Sequence, residues 1–458
     1  MSTNENPLGT RPVNSLLKEF AIPSIIAMLV SSLYNVVDQF FIGRAIGELG
    51  NAATNVVYPL VPCSIAIALL FGIGGAASFN LAMGMGRTDK AKYYIGNAAT
   101  MMWIIGIIVG VLCEIFCTPM LEFFGAPDAV MDYATVYMRI CAIGFPFQVV
   151  AAGYAHLVRS DGAPSFSMKM NLTGAIINIV LDALFIFGFG WGMAGAAAAT
   201  VIGQVVSALM GVAYVARFKT VTINREAYIP NREDCLRIMN LGAANFLNQM
   251  AMMLLAIVLN KSLSHYGALS SYGDSIPLAI SGISLKCMQI MMAFVIGLSQ
   301  GLQPIASFNY GAKKYTRVKE GVMRTLAAGA VICVVFYLLF ELFPGQLIAL
   351  FGEGSEEYFE FGIIYIRIYY IFMFTYFVQP IVSNFFSTIG KPKMGIFLSL
   401  TRQVIFYLPL LLVVPLFFGL YGILYAQAAT DLLACLVNIY MFYREMRRPE
   451  YAADYAGA

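Results

Sequence analysis

Twelve long runs of apolar residues follow one another along the chain, and short polar or charged connections separate them. Each run has about 20 or more residues, the length that an α-helix needs to cross the hydrocarbon core of a bilayer. The runs lie near residues 19–43, 53–83, 93–117, 133–157, 165–188, 191–217, 236–262, 275–306, 319–343, 358–388, 394–417 and 419–443. The pattern predicts an all-α membrane protein with twelve transmembrane helices.

The composition supports this prediction. Hydrophobic residues make up 60% of the 458 residues and charged residues only 12%, whereas soluble proteins carry about 25% charged residues. The net charge of +3 gives no reason to expect nucleic-acid binding. The eight cysteines are scattered through the chain and are interpreted as small core residues. Residues 1–18 are polar and the first apolar run can span a bilayer, so we expect no cleavable signal peptide.

Positively charged residues predict the orientation of the helices. They are concentrated in alternate connections, for example 87–92, 217–232 and 313–319, and near both chain ends. The connections on the other side, such as 121–132 and 341–360, are acidic. Because basic loops stay in the cytoplasm, both termini are expected to be cytoplasmic in a multi-pass plasma (inner) membrane protein. This orientation requires an even number of helices.

Three segments of the first half recur in the second half, in the same order and displaced by about 228 residues. The pairs are 72–92 with 297–319, 123–140 with 350–368, and 159–168 with 387–396. An internal repeat with an even number of helices per unit predicts two pseudo-symmetric six-helix lobes (6+6) around a central cavity, an arrangement suited to alternating access. The predicted divisions are a cytoplasmic segment 1–18, an N-lobe 19–217, a cytoplasmic linker 218–235, a C-lobe 236–443 and a cytoplasmic tail 444–458.

The first apolar run contains a carboxylate, Asp38, although an ionised acid at membrane depth is costly unless it is paired or hydrated. The fifth run carries Asn178 and Asp182 on one helix face, and the sixth carries Thr200. Counted from the outer helix ends, all four lie roughly 8–14 Å deep. Four oxygen-bearing side chains at one level predict a site for a small hard cation such as Na⁺ or for a shared proton. No other metal site is expected.

The second half has no copy of this acidic site. It carries instead Lys286 in the eighth run and Asp431 in the twelfth, each roughly 16–18 Å from the outer helix end. Opposite charges near the bilayer midplane usually face the interior and find partners. The sequence therefore predicts a C-lobe polar network that contains Lys286 and Asp431.

Methionine and aromatic side chains are candidates for a pliable cavity that binds flat cations through soft packing and cation–π contact. The residues predicted to line such a substrate cavity are Tyr34, Phe147, Met253, Met288, Met291 and Phe374.

In concert, the 6+6 repeat and three segments, 22–43, 157–182 and 301–319, make the chain resemble the multidrug and toxic compound extrusion (MATE) family, in its DinF/MepA-like branch of the multidrug/oligosaccharidyl-lipid/polysaccharide exporter superfamily. The resemblance implies export of organic cations or amphipathic drugs in exchange for H⁺ or Na⁺. We expect a monomer and no cofactor. It also implies that Asp38, Asn178, Asp182 and Thr200 form the N-lobe cation site and that Pro23 marks a bend in the first helix.

Two other functions fit the sequence less well. A flippase or exporter of a lipid-linked or other amphipathic precursor would need several basic residues in the cavity to hold a pyrophosphate, whereas the clearest cavity candidates here are acidic. A membrane enzyme is disfavoured because the chain has only two histidines and no HExxH metal motif. The choice between H⁺ and Na⁺ and the physiological substrate stay open.

Overall fold

The computed structural model describes residues 6–124, 126–273, 275–350 and 355–453. Residues 1–5 and 454–458, which belong to the predicted terminal segments, lie outside these ranges. The described residues are almost entirely helical, and no β-strand occurs among them. The predicted all-α fold class is confirmed.

Nine spanning helices have limits close to those of the predicted apolar runs. They are α1 (Val13–Ala45), α2 (Leu60–Gly84), α3 (Thr88–Ile115), α4 (Asp128–Ser160), α5 (Pro164–Asp182, extended by a π-helical segment Ala183–Gly188), α6 (Gly192–Val215), α7 (Arg232–Ala268), α8 (Ser275–Gly311) and α9 (Tyr315–Leu342). A short helix, Glu48–Val57, precedes α2.

The tenth span, α10, is divided into two helices, Glu356–Tyr369 and Val378–Thr388. The predicted run 358–388 is thus one span that consists of two helices. Pro380 lies in the first turn of the second part, where its missing N–H breaks no helical hydrogen bond. The aromatic stretch before it adopts turns and a 3₁₀ segment, Met373–Thr375.

The last helical segment, Pro392–Met446, contains two spans. Its 55 residues would make a single helix about 80 Å long, more than twice the hydrocarbon thickness of a bilayer. The backbone leaves the helix at Gly419, with φ 57° and ψ −137°, a conformation that suits glycine. The described chain therefore contains α11 (392–418) and α12 (420–446), and the predicted count of twelve is confirmed.

Helices α1–α6 form the N-lobe and α7–α12 the C-lobe. We call the side of the molecule on which both ends of the described chain lie the terminal side. The lobes meet there through glycines of α2, α7 and α8. A Cβ atom on Gly242 of α7 would lie 1.9 Å from the carbonyl oxygen of Leu70, and one on Gly74 of α2 would lie 2.0 Å from that of Ile238. Backbone approaches this close require glycine on at least one helix.

Hydrogen bonds also join the lobes on the terminal side. Gln303 Nε2 of α8 donates to the carbonyl oxygen of Ile73 on α2, at 3.2 Å. A further glycine contact brings α2 and α8 together at their ends, where a Cβ on Gly84 would lie 2.1 Å from the carbonyl oxygen of Phe308. The two lobes are therefore closed against each other on the terminal side.

The segment before α1 is fastened to the C-lobe. Asn309 Nδ2 donates to the carbonyl oxygen of Leu8 and Lys314 Nζ donates to that of Gly9, both at 2.9 Å. Arg317 also donates to the carbonyl oxygen of Leu8, at 3.2 Å. The start of α1 is thus held against the C-lobe, whereas α1 also packs on α5 of the N-lobe.

We expect Gly242→Val to separate the lobes on the terminal side, because the new side chain meets the Leu70 carbonyl group. The measurement is pulsed electron paramagnetic resonance between spin labels at positions 87 and 319, in a cysteine-free background. The mean distance should increase. Gly282→Val is the matched control, since a Cβ at Gly282 meets nothing within 4 Å. An unchanged distance in a folded Gly242→Val protein would contradict the closed arrangement.

Candidate functional site

The four residues predicted as the cation site come together in the N-lobe. Asp38 lies on α1, Asn178 and Asp182 lie on α5, and Thr200 lies on α6. Asp182 is fully buried and is the last residue of the regular part of α5, directly before the π-helical segment. Such irregular segments occur frequently at functional sites.

The contacts within this acid cluster join three helices. Asp38 and Asp182 face each other where α1 packs on α5. Asn178 Nδ2 donates to Thr200 Oγ1 at 3.2 Å and so links α5 to α6. Asn178 is buried with Asp182, whereas Asp38 is half-buried. The depth estimate from the sequence thus grouped side chains that the fold places together.

Several acceptor oxygens in the cluster have no donor. Among the described residues, Asp38 Oδ1, Asn178 Oδ1 and both carboxylate oxygens of Asp182 are buried without a hydrogen-bond partner. Buried polar atoms are nearly always satisfied, and unsatisfied ones cost free energy. Two facing carboxylates also cannot both stay ionised without compensation. The cluster therefore has the chemistry to take up a positive charge.

Helix α4 contributes two residues that the sequence reasoning missed. Tyr137 interacts electrostatically with Asp38 and Asp182, and it shares a hydrogen bond with Cys141 one turn later. Tyr34 of α1 interacts with the same two acids. The same depth count could have found Tyr137, because it lies nine residues after the first residue of α4. This places it roughly 14 Å deep, level with the acids.

Most of the potential ligand atoms in the cluster are oxygens. In the described ranges, no group of three or more His, Cys, Asp or Glu side chains could hold a metal ion. The two carboxylates are accompanied only by amide, hydroxyl and phenol oxygens and by one thiol. Such a set favours a hard cation or a proton over a transition metal.

The residues predicted to line a substrate cavity do not form one group. Tyr34 belongs to the acid cluster, whereas Phe147 packs edge-on against Trp103 with ring centroids 5.4 Å apart. Phe374 packs against Tyr337 of α9, also at 5.4 Å. Met291 is fully buried, and Met253 and Met288 are half-buried. A cavity-lining role for these residues stays a prediction.

The C-lobe contains a second buried polar cluster, centred on Asp431 of α12. Arg402 Nε donates to Asp431 Oδ1 at 2.8 Å, and Tyr376 Oη donates to Oδ2 at 2.6 Å. Gln427 Nε2 lies 3.0 Å from both carboxylate oxygens. The guanidinium of Arg402 also lies over the ring of Tyr376, 4.3 Å from its centroid. In contrast to the N-lobe acids, Asp431 is fully compensated by protein groups.

The predicted partner of Asp431 was therefore wrong. The described contacts of Asp431 are made with Arg402, Tyr376 and Gln427, whereas Lys286 is exposed. The prediction rested on depth along the membrane normal, and depth does not determine which way a side chain points around the helix axis. On α8, Ser281 and Ser284 are buried, and Lys286 lies on another face.

Stacked tyrosines extend the C-lobe cluster towards the break in α10. The rings of Tyr365 and Tyr369 are stacked at 4.8 Å, and Tyr369 Oη lies 3.1 Å from Tyr407 Oη of α11. A cavity of about 10 Å³, enough for about one water molecule, lies beside Arg402 and Asp431. Irregular backbone at membrane depth is tolerated where it is buried in protein in this way.

We expect Arg402→Ala and Asp431→Ala each to lower stability by about 3–5 kcal/mol, because each leaves an uncompensated buried charge. The double variant should lose less than the sum of the two. Thermal unfolding of purified protein measures the effect. Lys286→Ala serves as the matched control and should change the midpoint little. Strict additivity would show that the two groups do not act as a pair.

Known proteins resemble this chain along most of its length. The family model MatE matches residues 23–184 and 244–413, one block in each lobe. The multidrug export protein MepA of Staphylococcus saprophyticus is 25% identical over 431 residues, which are 93% of either chain.

Two solved structures have the same fold. A structure of the MATE multidrug transporter DinF-BH, solved in complex with a ligand, superposes with a TM-score of 0.89 at 30% identity, and the match covers 98% of this chain and 99% of that one. The structure titled "Outward-facing conformation of a multidrug resistance MATE family transporter of the MOP superfamily" gives 0.89 at 20% identity, with 96% and 98% covered. At that identity the second likeness concerns the fold alone.

Proposed function

The chain belongs to the MatE family of membrane transporters, and we propose that it is a secondary active antiporter that exports organic cations or amphipathic drugs in exchange for H⁺ or Na⁺. The names of its relatives, a multidrug export protein and a multidrug transporter with a bound ligand, support this class of substrate. The two-lobe fold supports alternating access as the mechanism.

The observation that carries the coupling proposal is the set of unpartnered oxygens around Asp38 and Asp182. One proton shared by the two carboxyl groups would relieve their repulsion. A Na⁺ ion would instead be held by the Asp38, Asn178 and Asp182 oxygens, with the hydroxyl group of Thr200 as a further ligand. Both ions would occupy the same place and would therefore compete.

The closed terminal side supports an assignment of conformation. If basic connections lie in the cytoplasm, the lobes are closed towards the cytoplasm and the protein faces outwards. In this state the acid cluster, located in the outer half of the N-lobe, can exchange ions with the exterior. Uptake of a cation there would then favour release of the exported substrate.

We expect Asp38→Asn and Asp182→Asn each to abolish gradient-driven transport, because the amide keeps the shape of the carboxyl group but does not titrate. Purified protein in liposomes would be tested with a fluorescent organic cation under an imposed pH gradient and, separately, an imposed Na⁺ gradient. Loss under both gradients is expected, and the gradient that drives the parent protein identifies the coupling ion.

Asp128→Asn is the control for this experiment, since it removes an exposed carboxylate at the start of α4. It should transport at the parent rate. If both Asn variants at the acid cluster also transport normally, the cluster does not couple an ion to export.

We also expect Pro23→Ala to slow transport more than it weakens substrate binding. α1 is helical across Pro23, but a proline leaves one carbonyl unbonded and lets a helix bend. We propose that the part of α1 beyond Pro23 bends when Asp38 binds or releases its cation. Transport rate and substrate affinity would be measured on the same preparation.

Pro344→Ala controls for the loss of a proline. Pro344 opens a short helix, where no helical hydrogen bond is missing, so this variant should keep the parent rate. Equal rates for Pro23→Ala and the parent protein would remove the bend from the mechanism.

A further inference from the structure

A second cavity lies in the N-lobe, on the terminal side and away from the acid cluster. Its volume is about 280 Å³, and it lies between α3, α4 and α6. Trp103, Tyr154 and Tyr228 supply aromatic walls, and Val212 and Val215 supply aliphatic ones. Pockets for small molecules usually have about 300–1,000 Å³, so this one can hold part of an amphipathic molecule.

One wall of the cavity belongs to the linker between the lobes, and hydrogen bonds hold that wall in place. Asn97 of α3 donates to the carbonyl oxygen of Ala227 at 3.1 Å and accepts from the Asn231 amide at 2.6 Å. Thr100 donates to the carbonyl oxygen of Tyr228 at 2.8 Å. The position of the Tyr228 backbone is therefore fixed, and the pocket is preformed.

The cavity lies at the boundary between the linker and the hydrocarbon region. The linker contacts α3 at Asn97 and Thr100. The residues of α3 that follow include exposed Ile104, Ile107 and Ile108, as expected for a helix face in contact with lipid. Ile229, next to the lining residue Tyr228, is 67% exposed, so the linker itself presents an apolar side chain at this level.

The charges around the cavity are mostly positive. Residues 217–232 contain Arg217, Lys219, Arg225 and Arg232 but only one acid, Glu226; Asp161, Glu233 and Asp234 are the other acids near the linker. Arg217 directly follows the lining residue Ala216, and Arg225 opens the 3₁₀ turn that ends at Tyr228. Both arginines are exposed. Two exposed arginines are therefore close in sequence to residues that line the pocket.

We propose that this cavity binds an anionic phospholipid of the terminal-side leaflet. Part of an acyl chain lies between Trp103, Tyr154 and Tyr228, and the phosphate group lies at Arg217 and Arg225. Basic pockets between membrane helices recognise anionic headgroups. Aromatic walls also attract organic cations, the substrate class of the proposed function, whereas the exposed arginines favour an anion, and the test below separates these two occupants.

The chain carries its own reporters for a test. It has only two tryptophans, Trp103 in the cavity and Trp191 at the opposite end of the N-lobe, where it is 54% exposed. In Trp191→Phe protein, the fluorescence of Trp103 reports on the cavity alone. The protein would be placed in bilayers that contain acyl-brominated phosphatidylglycerol or, at the same fraction, acyl-brominated phosphatidylcholine.

We expect brominated phosphatidylglycerol to quench Trp103 at lower mole fraction than brominated phosphatidylcholine, by a factor on the order of fivefold for each arginine that takes part. Arg217→Ala and Arg225→Ala should each reduce this preference. Val212→Phe, which fills the cavity, should reduce quenching by both lipids. Lys319→Ala removes an exposed terminal-side charge of the C-lobe and should leave the preference unchanged.

Trp103→Phe protein, in which only Trp191 fluoresces, should show no headgroup preference. Equal quenching of Trp103 by the two lipids would overturn the proposal. Protection of Trp103 from brominated lipid by ethidium would also overturn it, since the cavity would then be a site for organic cations. These outcomes do not depend on transport, so failure of the coupling proposal leaves this test intact.

Discussion

Two carboxyl groups that face each other inside the membrane set the main constraint on this molecule. Asp38 and Asp182 come from different helices, and their unpartnered oxygens leave the charge of the pair to be balanced from outside the protein. Burial strengthens this demand, because low-dielectric surroundings penalise uncompensated charge more than water does. Two ionised carboxylates at this place would therefore weaken the contact between α1 and α5.

The C-lobe meets the same physical problem in the opposite way. Asp431 has a cation, a phenol and an amide from its own lobe as partners, so its charge is balanced internally. The two lobes share a scaffold but differ in chemistry: the N-lobe acids have unpartnered buried oxygens, and the C-lobe acid is held in an ion pair.

The sequence predicts the parts of this fold that depend on repetition and length. Hydropathy predicts twelve spans because every spanning helix must be apolar over the thickness of the bilayer. The last two spans form a segment too long for one membrane crossing, and Gly419 divides it. Counting depth also grouped Asp38, Asn178, Asp182 and Thr200. It could not pair Asp431 correctly, because the side chain that reaches it depends on helix rotation and on a π-helical segment around Arg402. The break before Pro380 likewise depends on local packing of tyrosines.

Because residues 8 and 9 are hydrogen-bonded to the C-lobe, α1 connects the two halves of the protein mechanically. One end is held by Asn309, Lys314 and Arg317, and the other end carries Asp38 into the N-lobe. If the lobes separate on the terminal side, the two ends of α1 are pulled apart. Either the three hydrogen bonds to Leu8 and Gly9 then break or α1 bends. At about 1 kcal/mol each, those bonds are worth as much as a typical coupling free energy between two sites. The two ends of α1 are therefore held by different lobes, and any relative movement of the lobes acts on the position of Asp38 through the helix itself, without an intermediate relay of side chains.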